Sequence, residues 1–193
     1  MFERKGRSIQ MKKVVAFMGS PRKKGNTAAL VGEAIRGIKA AGVEAKVYNL
    51  NEMNIKPCQS CYYCRANEGC PIKDDMSGVY EDLKHADAVV IGSPVYMFQV
   101  SAQVKLLFDR LFPMMNAEFK PRWGAKKTLM LYTQGNPDPK AFAASFATNE
   151  EILKVMGLNV IETIVSSDAN ELDATLKNKA LLGKVFEAGK SLA

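Results

Sequence analysis

All four cysteines of the chain fall between residues 58 and 70, in the run Cys58-Gln-Ser-Cys61-Tyr-Tyr-Cys64-Arg-Ala-Asn-Glu-Gly-Cys70-Pro71. Thiols spaced C-x2-C-x2-C-x5-C are too close together to staple distant parts of a fold, but they can converge on one small object. A structural zinc site usually pairs two C-x2-C knuckles roughly 12–20 residues apart, each giving half a tetrahedron. Here a third cysteine follows after only two residues, and there is no second knuckle. A disulfide framework belongs to small secreted domains, and nothing in the sequence marks secretion. A compact C-x2-C-x2-C run with a further Cys-Pro is the pattern of ferredoxin-type cluster loops. With no other cysteine in the chain, Cys70 would have to complete the same cluster. The spacing favours a 4Fe–4S cluster on Cys58, Cys61, Cys64 and Cys70, and leaves zinc or free redox thiols as the alternatives.

A second chemical signal is Gly19-Ser20-Pro21-Arg22-Lys23-Lys24-Gly25-Asn26-Thr27. It matches neither G-x-G-x-x-G nor G-x4-G-K-[ST]. It still brings a hydroxyl, three cations and a helix start to one place, which is what a phosphate monoester needs. The plainer alternative is a β–α turn capped by Asn26 or Thr27, but such a turn does not call for three successive cations. Ser93 to Phe98 offers peptide groups and aromatic surface suited to a flat heteroaromatic ring. Tyr96, Met97 and Phe98 would serve equally as core or interface residues. The turn Gln134-Gly135-Asn136 supplies a third wall. His85, the only histidine, stands near a helix end beside Asp87 and reads as solvated or capping. Lys105 and Asp109 read as a helix-face ion pair.

These segments need a scaffold, and the apolar pattern supplies one. Lys13–Met18, Glu44–Leu50, Ala88–Ile91, Thr128–Thr133 and Asn159–Val165 read as five strands. Helices are expected after Thr27, from Asp74 or Asp75 to Ala86, from Ser101 to Pro113, over about 139–156, and through Leu172, Leu176, Leu182, Val185 and Phe186 to the end. Strand–helix alternation predicts an α/β three-layer sandwich, a five-stranded parallel sheet with helices on both faces. Residues 1–10 read as a basic tail, and 11–193 as a single domain with the cysteine loop inserted at about 51–73. In such sheets ligands bind beyond the carboxyl ends of the strands, at the topological switch point. The first, third and fourth strands all end there in Gly-, Ser-, Pro- or Asn-rich loops.

Composition narrows the partners. The formal charge is +7, but Arg4, Lys5, Arg7, Lys12 and Lys13, less Glu3, place much of the excess in the first thirteen residues. With Arg22, Lys23 and Lys24 in the anion loop, no extended basic face remains for nucleic acid. No apolar run approaches the ~20 residues that cross a bilayer, and the polar N-terminus has no signal-peptide core. A cytoplasmic protein with anionic small-molecule or acidic protein partners is the expectation.

The Gly-Ser-Pro-Arg-x2-Gly-Asn-Thr loop (19–27), the cysteine loop, Gly-Ser-Pro-Val-Tyr (92–96), Lys105 with Asp109-Arg110, and Gln134-Gly135 together resemble the flavodoxin-like NAD(P)H-dependent FMN reductases. The complete cysteine set resembles, within them, the iron–sulfur flavoproteins. The resemblance implies a flavodoxin-like fold, FMN, a 4Fe–4S cluster, and homodimers or homotetramers. It implies that Ser20, Arg22, Asn26 and Thr27 hold the FMN phosphate. Pro94, Val95, Tyr96, Met97 and Phe98 then line the isoalloxazine, and Gln134 and Gly135 close the site. The expected activity is oxidoreduction between a donor, ferredoxin or NAD(P)H, and an acceptor, with no side-chain nucleophile required. The rival expectations are an NAD(P)H-dependent FMN or quinone reductase without a cluster, and a flavodoxin-like carrier or redox sensor.

Overall fold

The computed structural model describes residues 12–193, so the basic segment 1–10 lies outside the described residues. Six strands occur among them: β1 (Lys13–Met18), β2 (Glu44–Asn49), β3 (Ala88–Tyr96), β4 (Gln99–Val100), β5 (Lys126–Thr133) and β6 (Leu158–Ser166). Five run parallel in the order β2-β1-β3-β5-β6, while β4 folds back on the end of β3 as an antiparallel hairpin. The helices are α1 (Asn26–Ala40), α2 (Tyr63–Ala66), α3 (Met76–His85), α4 (Ala102–Arg110), α5 (Ala143–Val155), α6 (Ala174–Lys177) and α7 (Lys179–Lys190).

Strand alternation sorts the core into two layers. Val14, Ala16 and Met18 of β1, with Val90 and Leu131, pack against Leu30, Val31, Ala34 and Ile38 of α1 and Val185 of α7. Val15, Phe17, Ile91 and Tyr132 turn to the other face, against Leu83 of α3, Val104 and Leu107 of α4, and Phe146 and Leu153 of α5. Covering on both faces is why β1 and β3 are written as nearly continuous apolar runs. The flavodoxin-like architecture expected from the sequence is therefore the one found.

Three elements differ from the sequence reading. β3 continues through Gly92, Ser93 and Pro94, which pair with Leu131, Tyr132 and Thr133 of β5. Gly92 O accepts from Gly19 N at 2.8 Å, so the polar groups of Gly92 face β1. Two residues on, Pro94 faces the same side where β1 has already ended, and its missing N–H costs no ladder bond. The fourth helix ends at Arg110, and Pro113 sits in a 3-10 turn, Phe112–Met114. The C-terminal helix is broken: the Asn178 side chain accepts from Leu181 N at 3.0 Å and caps a new helix. The new start resets the apolar face, and Leu172 and Leu176 are left 61% and 48% exposed.

α1 and α7 meet backbone to backbone. A Cβ on Gly189 would stand 2.2 Å from Ala34 O, and one on Gly37 would stand 2.1 Å from Phe186 O. Gly189→Ala should therefore destabilise the protein by about 1–3 kcal/mol, the cost of overpacking. Gly183→Ala lies on the same helix with nothing within 4 Å of the new methyl. It should instead stabilise by up to about 1 kcal/mol through helix propensity. Urea unfolding of the two variants checks both signs.

Candidate functional site

The first cavity opens at the carboxyl edge of the sheet, between the ends of β1 and β3, and measures about 90 Å³. Its floor is the loop that leads β1 into α1. Ser20, itself buried, accepts from Arg22 N through its Oγ at 3.1 Å, and Gly25 N donates to Arg22 O at 3.2 Å. α1 then starts at Gly25 without any side-chain cap. The first N–H groups of a helix have no intrahelical acceptor, and Gly25, Asn26 and Thr27 present this uncapped end to the cavity. Arg22 stands exposed at the rim and makes no ion pair among the described residues, whereas Lys23 pairs with Glu52.

The wall contributed by β5 carries an unspent acceptor. Gln134 is 2% exposed, and its Nε2 donates to Asn136 O at 3.2 Å and Asp138 O at 2.6 Å. Those two bonds fix the amide, and Gln134 Oε1 is left buried without a partner. A buried unpaired acceptor costs about 1–3 kcal/mol unless a ligand N–H fills it. Beside it, Thr27 and Thr133 share a buried hydroxyl–hydroxyl bond of 2.8 Å.

Nine of the residues read from the sequence line this cavity: Ser20, Arg22, Asn26, Thr27, Pro94, Val95, Tyr96, Gln134 and Gly135. Asn26 does so differently from expectation. Its Nδ2 donates to Ala169 O at 3.1 Å and Glu171 O at 2.7 Å, and its Oδ1 accepts from Thr175 N at 2.9 Å. The side chain latches α1 to the loop after β6, and only its backbone N–H remains for an anion. Met97 and Phe98 are not on the cavity wall. They form the β3–β4 turn, 89% and 70% exposed, with φ of +46° and +68°. Such left-handed angles at both positions give the two-residue turn a hairpin needs. Thr133 and Ala169 were not anticipated; the first follows from the strand end, but nothing in the sequence brings Ala169 to this edge.

The second cavity, about 180 Å³, is lined by Cys58, Cys61, Cys64 and Cys70 together with Tyr80, Phe112 and Pro113. Left-handed angles at Ser60 (+51°), Tyr62 (+56°) and Gly69 (+87°) bend the cysteine segment around it. Burial pushes the Cys64 thiol up, and charge on Cys70, Cys58 and Cys61 pushes it further. Both causes favour the uncharged thiol over the thiolate at Cys64. Among the described residues no three His, Cys, Asp or Glu side chains converge as a single metal ion requires.

Arg110 closes this cavity, a role the sequence reading did not see. Its side chain is 1% exposed and forks onto Asp74, with Nη1 to Oδ2 at 2.5 Å and Nη2 to Oδ1 at 3.1 Å. Nη1 also donates to Lys56 O at 2.5 Å, and Nη2 to Cys70 Sγ at 3.7 Å. Asp74 accepts in addition from Lys56 N at 2.9 Å and Met76 N at 3.1 Å. Asp75 holds the cap position of α3, but its carboxylate goes to Asn54 N. Lys105 and Asp109 form the expected exposed pair at 2.6 Å, and His85 sits in the open against Glu81.

Comparison with known proteins bears on the family and the fold. The family model described as NADPH-dependent FMN reductase matches residues 12–168. An iron-sulfur flavoprotein of Methanocaldococcus jannaschii is 42% identical over 102 residues, 53% of each chain. One of Archaeoglobus fulgidus is 41% identical over 106 residues, 55% of this chain and 54% of that one. This chain thus spans about half the length of these curated relatives. Among solved structures, an NAD(P)H:quinone oxidoreductase from Methanothermobacter marburgensis superposes with a TM-score of 0.72 at 17% identity, covering 95% of this chain and 98% of the other. An azoreductase of Bacillus anthracis gives 0.69 at 16%, covering 94% and 100%. At such identities the two structures speak for the fold alone. No helix among the described residues is long and apolar enough to cross a membrane.

Burial raises the Asp74 carboxyl, but hydrogen bonds from Arg110 and Lys56 N, with the charge of Arg110, outweigh it and hold the group below the usual range. A depressed carboxyl contributes stability above its unfolded pKa and loses it as pH falls through the lower folded value. Asp74→Ala should therefore cost about 3–5 kcal/mol at neutral pH, because it strands a buried guanidinium. The gap between wild type and variant should begin to narrow below about pH 4, where the unfolded carboxyl protonates, and close only below the lower folded value. Urea unfolding at pH 7 and pH 3 measures both limbs.

Proposed function

This chain belongs to the NADPH-dependent FMN reductase family, and we propose that it passes electrons between a donor and an acceptor through FMN in the first cavity and a 4Fe–4S cluster in the second. FMN exchanges two electrons as hydride or one at a time, and such a cluster exchanges one. The observations that carry the flavin reading are the uncapped start of α1 and Gln134, whose Oε1 is buried without a partner, on the lining of one cavity. The Ser20 hydroxyl, the first N–H groups of α1 and Arg22 would bind the phosphate. Gln134 Oε1 would accept an N–H from the ring edge, while Pro94, Val95 and Tyr96 line its face. Asn26 and Thr27 position the loop through Ala169, Glu171 and Thr133 rather than through free side-chain donors. Met97 and Phe98, on the exposed turn, would reach only the outer side of the site.

The cluster reading is supported by the donor set. A single ion needs ligands meeting at one point, whereas a four-iron cluster takes each thiolate at a different iron. Cys58, Cys61, Cys64 and Cys70 around one apolar hollow suit the second requirement. The positive iron–sulfide core would offset part of the charge that the four cysteines carry as thiolates. We take residues 11–193 as one domain working in the cytoplasm, as a homodimer or homotetramer, with ferredoxin or NAD(P)H as donor.

Ser20→Ala and Arg22→Ala should each weaken FMN binding by about 10- to 100-fold, since a hydrogen bond to a charged group is worth about 1.5–3 kcal/mol. Riboflavin, which lacks the phosphate, should bind wild type and variants alike in fluorescence titrations. Equal losses for both flavins would refute the phosphate assignment. Protein purified without oxygen should carry about four irons and four sulfides per chain and give a reduced-cluster EPR signal, both lost in Cys64→Ser. Flavin with no iron or sulfide would leave the cluster-free reductase instead. Absence of turnover with NAD(P)H and with reduced ferredoxin would favour a carrier or sensor.

A further inference from the structure

We infer that Arg110 sets the reduction potential of the cluster by holding a hydrogen bond and a fixed positive charge on the Cys70 sulfur, and that Asp74 sets how much of that charge is felt. The inference rests on the cluster reading above and extends it to two residues that are not ligands.

Among the described residues, Arg110 is the one cation that lines the cysteine cavity. The only carboxylate on that wall, Asp109, is turned to Lys105 at the surface. Arg110 heads the fully buried side chains of the protein by size, so water does not screen it. Its guanidinium also cannot swing away. Nη1 is held by Asp74 Oδ2 and Lys56 O, and Nη2 by Asp74 Oδ1 and Cys70 Sγ, while Nε is buried without a partner. Hydrogen bonds to the sulfurs and the local charge are the protein's levers on cluster potential. A donor and a positive charge favour the state with one more electron, and in an apolar hollow they act at low dielectric. Asp74 opposes them from the far side of the fork. No covalent bond changes: one electron enters from the donor, and Cys70 stays bound.

Two roles for this pair make different predictions. If Arg110 and Asp74 only clasp the ends of the cysteine segment, removing either loosens the same loop in the same way. If they tune potential, the two removals act with opposite sign. Arg110→Gln takes away the positive charge and leaves Asp74, which lowers the potential. Asp74→Asn keeps the shape, leaves Arg110 unopposed and raises it. Arg110→Lys keeps the charge but loses the fork and the sulfur bond, and should fall between wild type and Arg110→Gln.

The test is an EPR-monitored titration with dithionite and mediators on the full chain prepared without oxygen, with iron, sulfide and FMN measured on each sample. Support is a downward shift in Arg110→Gln, an upward shift in Asp74→Asn and an intermediate Arg110→Lys, with FMN content unchanged. Shifts of one sign, or none, in variants that keep their iron overturn the inference. Loss of iron from all three variants with FMN retained overturns it too, in favour of a structural clasp. Wild-type protein lacking iron and sulfide would instead remove the cluster reading, and this inference with it.

Discussion

One backbone hydrogen bond, from Gly19 N to Gly92 O, marks the point where two neighbouring strands stop being a sheet. Beyond it β1 turns into the loop that starts α1 while β3 runs on beside β5, and the gap between them is the first cavity. Two helices press on this point from opposite faces. A Cβ on Gly19 would stand 2.1 Å from Val104 Cγ2 of α4, and one on Gly92 would stand 2.3 Å from Val31 Cγ2 of α1. Ser101 ties the knot, with its Oγ donating to Gly19 O at 2.7 Å and its N–H donating to Ser93 Oγ at 3.0 Å. These serines are fully buried. In so dry a place an unmade bond costs more than a made one gains, so the strand ends and the start of α4 are held as a unit.

α4 carries that fixed position to the other site. Its first residue follows Ser101, bonded to the ends of β1 and β3, and its last is Arg110, against the cysteines. Nine residues at the helical rise span about 13 Å, so the two cavities stand at opposite ends of a short rigid rod. They share no lining residue. Charges placed at one end therefore reach the other weakly, and each centre can be tuned by its own neighbours.

Where the sequence was legible, one physical signal sufficed on its own. Buried parallel strands need unbroken apolar runs, and a glycine-rich turn between strand and helix needs little else, so β1, α1 and the loop between them could be read directly. The thiol spacing was legible only as convergence on one hollow, because so short a segment cannot spread its cysteines across the fold. Misreadings came where a local signal competed with a distant partner. Pro94 looked like a strand terminator because the early end of β1, on which its tolerance depends, is a property of the sheet. The apolar spacing of Leu172 and Leu176 looked like part of the last helix until Asn178 capped a new one. Asn26 looked like a phosphate ligand because its acceptors, Ala169 and Glu171, lie more than 140 residues away.

Arg110 could have been half seen. On a helical wheel it lies about 60° from Leu107, on the flank of the apolar stripe rather than on the exposed face with Lys105 and Asp109. A cation there must either snorkel out or find a buried partner, and no nearby residue names Asp74. The pair is also a poor device for stability alone, since apolar replacements of buried ion pairs are often as stable or more so. What apolar residues could not do is satisfy Lys56 O, Lys56 N and Met76 N, the backbone groups that bracket an irregular cysteine segment. A segment without a ladder of its own has to borrow its hydrogen bonds from side chains. Arg110 and Asp74 supply those bonds at the two ends of the segment, and the fork that does so still leaves Nη2 a bond to Cys70 Sγ.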